Sequence, residues 1–199
     1  MIDDLDRSVA ALLTHELPPT LVTQVNITFA TPDAQFPPSS VTLPAIDLFL
    51  YDVRENVDLR SREWEPERLA DGSVRRAPPP MRVDCSYLIT AWPSASSTTP
   101  ALDEHRLLSE VLKVLVRHRT LPPAVLQGSL AGQELPLPTT TLQPSPLQSS
   151  AEFWQALGGR PKAALNCVLT IGIPVGEPVS AGAPVIDERI RLRSGLGGP

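Results

Sequence analysis

Met81-Arg82-Val83-Asp84-Cys85-Ser86-Tyr87-Leu88-Ile89-Thr90-Ala91-Trp92 is the stretch that sets the architecture. Side chains alternate across a strand, so Val83, Cys85, Tyr87, Ile89 and Ala91 line one face and Arg82, Asp84, Ser86, Leu88, Thr90 and Trp92 the other. A strand of this length with apolar residues on both faces is expected near the centre of a sheet. Two further segments share the pattern. Residues 46–51 set Ile46, Leu48 and Leu50 against Asp47, Phe49 and Tyr51, then run into the ionisable Asp52-Val53-Arg54-Glu55-Asn56. Residues 165–173 alternate Leu165, Cys167, Leu169, Ile171 and Ile173 with Asn166, Val168, Thr170 and Gly172.

Helical periodicity supplies the cover for such a sheet. Ile2, Leu5, Val9, Leu12 and Leu13 predict an amphipathic helix over residues 2–17, with Asp3, Asp4 and Asp6 at its positive end and Pro18-Pro19 as its stop. A strand is expected over 22–29, with Val25, Ile27 and Phe29 on one face, followed by a proline-interrupted loop over 31–44. Thr99 is positioned to cap a helix whose first residue is Pro100 and whose apolar stripe is Leu108, Val111, Leu112 and Leu115, widened by Leu107 and Val114. A short helix over 151–157 closes at Gly158-Gly159, with Phe153 and Trp154 pinning it to the core. The fold class that follows is α/β of the α+β type. It has a single mixed, largely antiparallel sheet covered by a long helix and an N-terminal helix.

With 42% hydrophobic residues, the 199-residue chain has material for one sizeable core. Its 23 prolines, against a usual share of about 5%, commit much of the length to loops and extended arms. The expected organisation is a core over 1–173, with an exposed charged hairpin at about 54–80 turning at Asp71-Gly72 and a Pro-rich arm at about 121–150. Residues 174–199 form an extended C-terminal tail, in which 185–193 is a candidate donated edge strand and a frayed tail is the bland alternative. Truncation after Ala183 tests between the two.

Charge and cysteine content narrow the function classes. Seventeen Lys and Arg against 22 Asp and Glu give a net charge of −5, the wrong sign for a general phosphate-backbone binder, so nucleic acid is not an expected partner. Cys85 and Cys167 lie inside apolar strands and are expected as buried free thiols. No run approaches the roughly 20 apolar residues needed to span a bilayer, and no basic-then-apolar leader opens the chain. Synthesis in the cytoplasm without direct membrane insertion is the expectation.

Candidate chemistry is thin. His15, His105 and His118 do not share a metal-ligand spacing, and surface or hydrogen-bonding roles suit them better. Asp52 and Asp84 are carboxylates in or beside apolar strands, tempting as an acid/base pair and more ordinary as structural groups. Adjacent Glu104 and His105 point in different directions on a helix. Gly158-Gly159-Arg160 lacks the Lys-Ser/Thr of a phosphate loop. Catalytic, cofactor and metal sites are therefore expected to be none. Trp64, set among Arg62, Glu63, Glu65, Glu67 and Arg68, instead has the make-up of an apolar anchor rimmed by charge, although it equally suits packing on its own domain.

Several blocks carry a family resemblance. Leu48-Phe49-Leu50-Tyr51-Asp52-Val53-Arg54-Glu55-Asn56, Arg60 with Glu63-Trp64, and Tyr87-Leu88-Ile89-Thr90-Ala91-Trp92 come first. Glu104-His105-Arg106-Leu107-Leu108, and Trp154 with Ala156-Leu157-Gly158-Gly159, follow in order. Together they resemble the N-terminal domain family of cap, or tail-terminator, proteins from phage-tail-like extracellular contractile injection systems. The resemblance implies a structural protein without enzymatic activity. It would act in a homo-oligomeric, six-membered ring at the baseplate-distal end of a particle, in contact with tube and sheath proteins, assembled in the cytoplasm and acting extracellularly. The expected assembly interface comprises Arg54, Glu55, Arg60, Arg62, Glu63, Trp64, Arg75 and Arg76, with Ile186, Ile190 and Leu192 in the tail. A baseplate or sheath-associated adaptor is the alternative within the same particle, and a small hydrolase the alternative outside it.

Overall fold

The computed structural model describes residues 1–69, 73–133, 136–142 and 150–180. Its helices are α1 (Ile2–Glu16), α2 (Pro19–Val22), α3 (Pro100–Arg117) and α4 (Ser150–Ala156). Its strands are β1 (Asn26–Thr28), β2 (Ala45–Glu55), β3 (Glu65–Arg68), β4 (Val74–Ala77), β5 (Met81–Trp92), β6 (Thr139–Thr141), β7 (Ala164–Ile173) and β8 (Val179–Ser180). They fall into two compact units. Among the described residues, one holds Met1–Leu59 with Arg82–Ile173, and the other holds Arg60–Met81 with 174–180.

In the first unit a five-stranded sheet runs in the order β1-β2-β5-β7-β6, so β5 is its middle strand. β1 pairs parallel to β2, whereas β2 with β5 and β6 with β7 are antiparallel, matching the expected mixed, largely antiparallel sheet. Alternation along β5 places Val83, Cys85, Tyr87 and Ile89 in the main core, against Leu5, Val9, Leu12 and Leu13 of α1 and Val111, Val114 and Leu115 of α3. Full burial of each large aliphatic side chain is worth about 2 kcal/mol, so this two-helix cover is the chief source of stability. Tyr87 is fully buried, and its hydroxyl donates to Asp6 Oδ1 of α1 at 2.7 Å, which satisfies the only polar atom it carries inward.

Register slips once between β2 and β5, between Leu50 and Asp52, leaving Tyr51 as an extra residue. Such a bulge redirects side chains. Here the Tyr51 hydroxyl donates to Asn166 Oδ1 of β7 at 2.6 Å, and the Tyr51 ring meets Phe153 of α4 edge-on with centroids 5.9 Å apart. α4 ends where Gly158 takes φ 68°, the left-handed conformation that glycine adopts without a Cβ clash.

Two local expectations are corrected. The strand expected over 22–29 is confined to Asn26–Thr28, because Pro19 starts a helical turn whose Leu21 and Val22 amides both donate to Pro18 O. Thr99 occupies the cap position of α3 without a side-chain cap bond. Ser97 acts there instead, its Oγ accepting from the Thr99 amide at 3.1 Å and donating to Asp103 Oδ2 at 2.6 Å. The described parts of the 121–150 arm are folded onto the core. Leu121, Val125, Leu130 and Leu137 are buried, and β6 edges the sheet. A Cβ on Gly128, at φ 53°, would land on the Asp4 carboxylate, which accepts from both the amide and the hydroxyl of Ser129.

The second unit is a three-stranded sheet in the order β3-β4-β8, an addition to the one sheet expected. β3 and β4 pair antiparallel from Glu65 opposite Ala77 to Arg68 opposite Val74, and the Leu69 amide donates to Ser73 O. The expected turn residues Asp71 and Gly72 lie outside the described residues. β8 pairs antiparallel with β4, Arg75 opposite Ser180 and Arg76 opposite Val179.

Candidate interaction surfaces

Several ionisable groups singled out in the sequence have partners within the fold. Asp84 accepts from Asn56 Nδ2 at 3.0 Å and from Thr170 Oγ1 at 2.6 Å, while Asp52 pairs with Arg54 Nε at 2.7 Å. Glu104 on α3 pairs with Lys162, just ahead of β7. His15 Nδ1 and His118 Nε2 both stand 3.1 Å from the Glu16 carboxylate, which Arg117 also reaches at 3.0 Å. These neighbours, His118 first, hold the Glu16 carboxyl down at about 2. His105 is exposed on α3, and its backbone carbonyl accepts from Ser109 Oγ. Cys85 and Cys167 are free and buried, and burial pushes their thiols up to about 11 and about 12. Among the described residues no group of three His, Cys, Asp or Glu is arranged to hold a metal ion.

Asp47 is the buried group that sequence reasoning passed over. It is fully buried, neither carboxyl oxygen has a well-formed hydrogen-bond partner among the described residues, and burial pushes it up to about 7 against a weak opposing influence from the Ala30 backbone. Its signal was a carboxylate between Ile46 and Leu48 in a strand whose neighbours on both sides are apolar.

The expected interface residues divide between the two units. Arg54 and Glu55 end β2, Arg54 exposed and Glu55 half-buried, in the unit that carries the main core. Arg60, Arg62, Glu63 and Trp64 are exposed in the segment leading into β3, with Trp64 49% accessible. Arg75 is half-buried and Arg76 exposed on β4. Ile186, Ile190 and Leu192 lie outside the described residues, as does the candidate donated strand over 185–193.

A second surface feature was not legible in the sequence. Phe36, from the loop after β1, stacks on Trp92 at the end of β5 with centroids 4.1 Å apart, and Lys162 Nζ stands 4.5 Å from the Trp92 ring centre. Together with Trp154 and the Gly158-Gly159-Arg160 turn they line a cleft of about 280 Å³. A Cβ on Gly159 would sit 3.3 Å from Trp154 Cε3 and from Pro32 O, so glycine relieves crowding at the cleft wall. Phe36, Trp92 and Lys162 are far apart in the chain, and only the sheet order brings them together.

The family profile of the Pvc16 N-terminal domain matches residues 4–188. Among solved structures, the chain is similar to the sheath/tube terminator of an extracellular contractile injection system, PVC, in its extended state. That match has a TM-score of 0.68 and 26% identity, over 99% of this chain and 65% of the other. It is similar also to the tube-terminating cap of the anti-feeding prophage, AFP, with a TM-score of 0.62 and 27% identity, over 96% of this chain and 61% of the other. The chain thus spans about 65% and 61% of the lengths of these two proteins. Among curated proteins none matches it in sequence.

Proposed function

Because the chain belongs to the Pvc16 N-terminal domain family, we propose that it caps a contractile injection particle, ending the inner tube and coupling it to the sheath. The observation that carries this reading is the near-complete superposition of the chain on two terminators, one of sheath and tube and one of tube. The cap works by binding, as the names of its two structural neighbours, a sheath/tube terminator and a tube-terminating cap, suggest.

Six copies form a closed ring coaxial with the tube. A single copy binds its axial neighbours weakly, whereas a ring presents several contacts at once and raises their effective concentration, which resists release when the sheath shortens. The helix-covered sheet of the first unit supplies the packed body, and the charged segment around Arg60, Arg62, Glu63 and Trp64, with Arg75 and Arg76, meets neighbouring subunits. Arg54 and Glu55 are further contact residues. The tail beyond β8 is the part offered to sheath or cap neighbours, with Ile186, Ile190 and Leu192 as the apolar positions of an added strand. Assembly takes place in the cytoplasm, and the finished particle acts outside the cell.

Deleting the chain tests the function. Electron microscopy of particles made without it should show tubes and sheaths of unregulated length, or sheaths slipping from tubes. Normal lengths and attached sheaths would contradict the proposal, and loss of baseplates alone would indicate an adaptor at the opposite end.

A further inference from the structure

Asp47 lies on the sheet face turned away from the main core. Ile46 and Leu48 belong to that core, so alternation sends Asp47 to the other side together with Phe49, whose ring stands 6.3 Å from that of Phe153 on α4. Across the ladders its neighbours are Thr28 of β1 and Thr90 of β5, and Thr90 Oγ1 accepts from Trp92 Nε1 at 2.9 Å. Carboxyl, hydroxyl and indole share one patch. Its cover is the segment between β1 and β2, which meets Asp47 at the Ala30 backbone, stacks Phe36 on Trp92 and brings Pro32 O close to Gly159.

A fully buried carboxylate without a well-formed hydrogen bond is tolerated as the neutral acid and resists ionisation. Ionisation therefore favours any state in which water reaches it, and the surrounding elements differ in how firmly they are held. β2 is laddered to β1 on one side and β5 on the other. Residues 31–43 instead hydrogen-bond within themselves, the Asp33 amide to Thr31 O and the Val41 amide to Pro38 O, and are fastened to the sheet by the Phe36 stack. That segment is the cover free to move.

No neighbouring charge competes for the carboxyl. Asp33 is the titratable residue of the segment, and its Oδ1 accepts from the Gln35 amide. α4 contributes the exposed Glu152, the turn after it carries the exposed Arg160, and Lys162 is held by Glu104. β1 has no ionisable residue, and the β5 residues nearest on this face are Thr90 and Trp92. Burial dominates at Asp47, opposed weakly by the Ala30 backbone, and none of these charges acts on it.

We propose that residues 31–43 form a proton-operated strap, closed over Asp47 while its carboxyl is neutral and lifted when it ionises, which parts Phe36 from Trp92 and opens the Trp92 and Trp154 face to solvent. The device belongs to the first unit alone and does not depend on the cap reading. The carboxyl ionises near 3.8 when the strap is open and near 7 beneath it, so each pH unit between those values favours the open form by up to about tenfold.

Acrylamide quenching of tryptophan fluorescence tests it on the full chain. In a Trp64→Phe background the two remaining indoles, Trp92 and Trp154, both line the covered face. Quenching should rise about twofold or more from pH 5 to pH 8, while amide exchange across residues 83–91, corrected for intrinsic rate, stays slow because the core remains folded. Asp47→Asn added to that background keeps the low value at both pH values, and Phe36→Ala gives the high value at both. Equal quenching at pH 5 and pH 8, a rise that persists in Asp47→Asn, or a rise accompanied by loss of protection across 83–91 would overturn the proposal. Should Asp47→Asn fail to fold, a Phe36→Ala chain quenched no more than its parent at pH 5 overturns it as well.

Discussion

β5 and the β3–β4 hairpin are both strand structure, yet opposite physics holds them. β5 lies in the middle of its sheet with Cys85, Tyr87, Ile89 and Ala91 fully buried, whereas the hairpin pairs a charged sequence and the segment leading into it exposes Trp64. One is specified by what it hides. The other is specified by ladder bonds between charged strands, with little apolar burial of its own.

The contrast is broken most forcefully in the core. Ile89→Ala should cost about 2–5 kcal/mol in chemical denaturation, since it removes a fully buried side chain from the main core. A cost below about 1 kcal/mol would mean that β5 is not the organising strand.

Asp47 gives the next effect. Its carboxyl ionises near 3.8 when unfolded and near 7 in the fold, so between those values the folded state keeps a proton that the unfolded state has lost. Stability is then highest below the unfolded value and falls as pH rises toward 7, by at most about 1.4 kcal/mol per unit. Urea denaturation at pH 5 and pH 8 should show that loss in wild type and not in Asp47→Asn, and equal pH slopes in the two chains would remove Asp47 as its source.

Glu16 works in the opposite direction. Held down at about 2, it stabilises the fold above the ordinary carboxylate range, and that contribution disappears as pH falls through about 2. Glu16→Gln should therefore flatten the acid limb of a stability profile below pH 4.5, and an unaltered limb would count against the cluster.

The smallest effects lie outside the core. Trp64→Ala should change stability by no more than about 0.5 kcal/mol while impairing assembly, and a large loss of stability would place Trp64 among packed residues. Thr99→Ala should be nearly neutral, while Ser97→Ala costs about 1 kcal/mol, because the polar contacts at the start of α3 are made by Ser97.

These orderings follow what was legible in the sequence. Where burial dictates a period, residues located the element: β5 spans the quoted stretch, and the stripes of α1 and α3 face the sheet as their spacing implied. Prediction failed where local chemistry had close competitors. Pro19 favoured a helical turn over an extended start to β1, and Ser97 replaced Thr99 two residues away at the head of α3. The three-residue β6 carried too short a pattern to register inside a Pro-rich arm. The cleft was invisible for a different reason, since Phe36, Trp92 and Lys162 meet only through tertiary structure.

Labelling the chain in assembled particles tests the central claim most directly. A tagged copy viewed by cryo-electron microscopy should appear as a ring at the end opposite the baseplate, seated on the last layers of tube and sheath. Label at the baseplate, along the sheath, or absent from complete particles would contradict it.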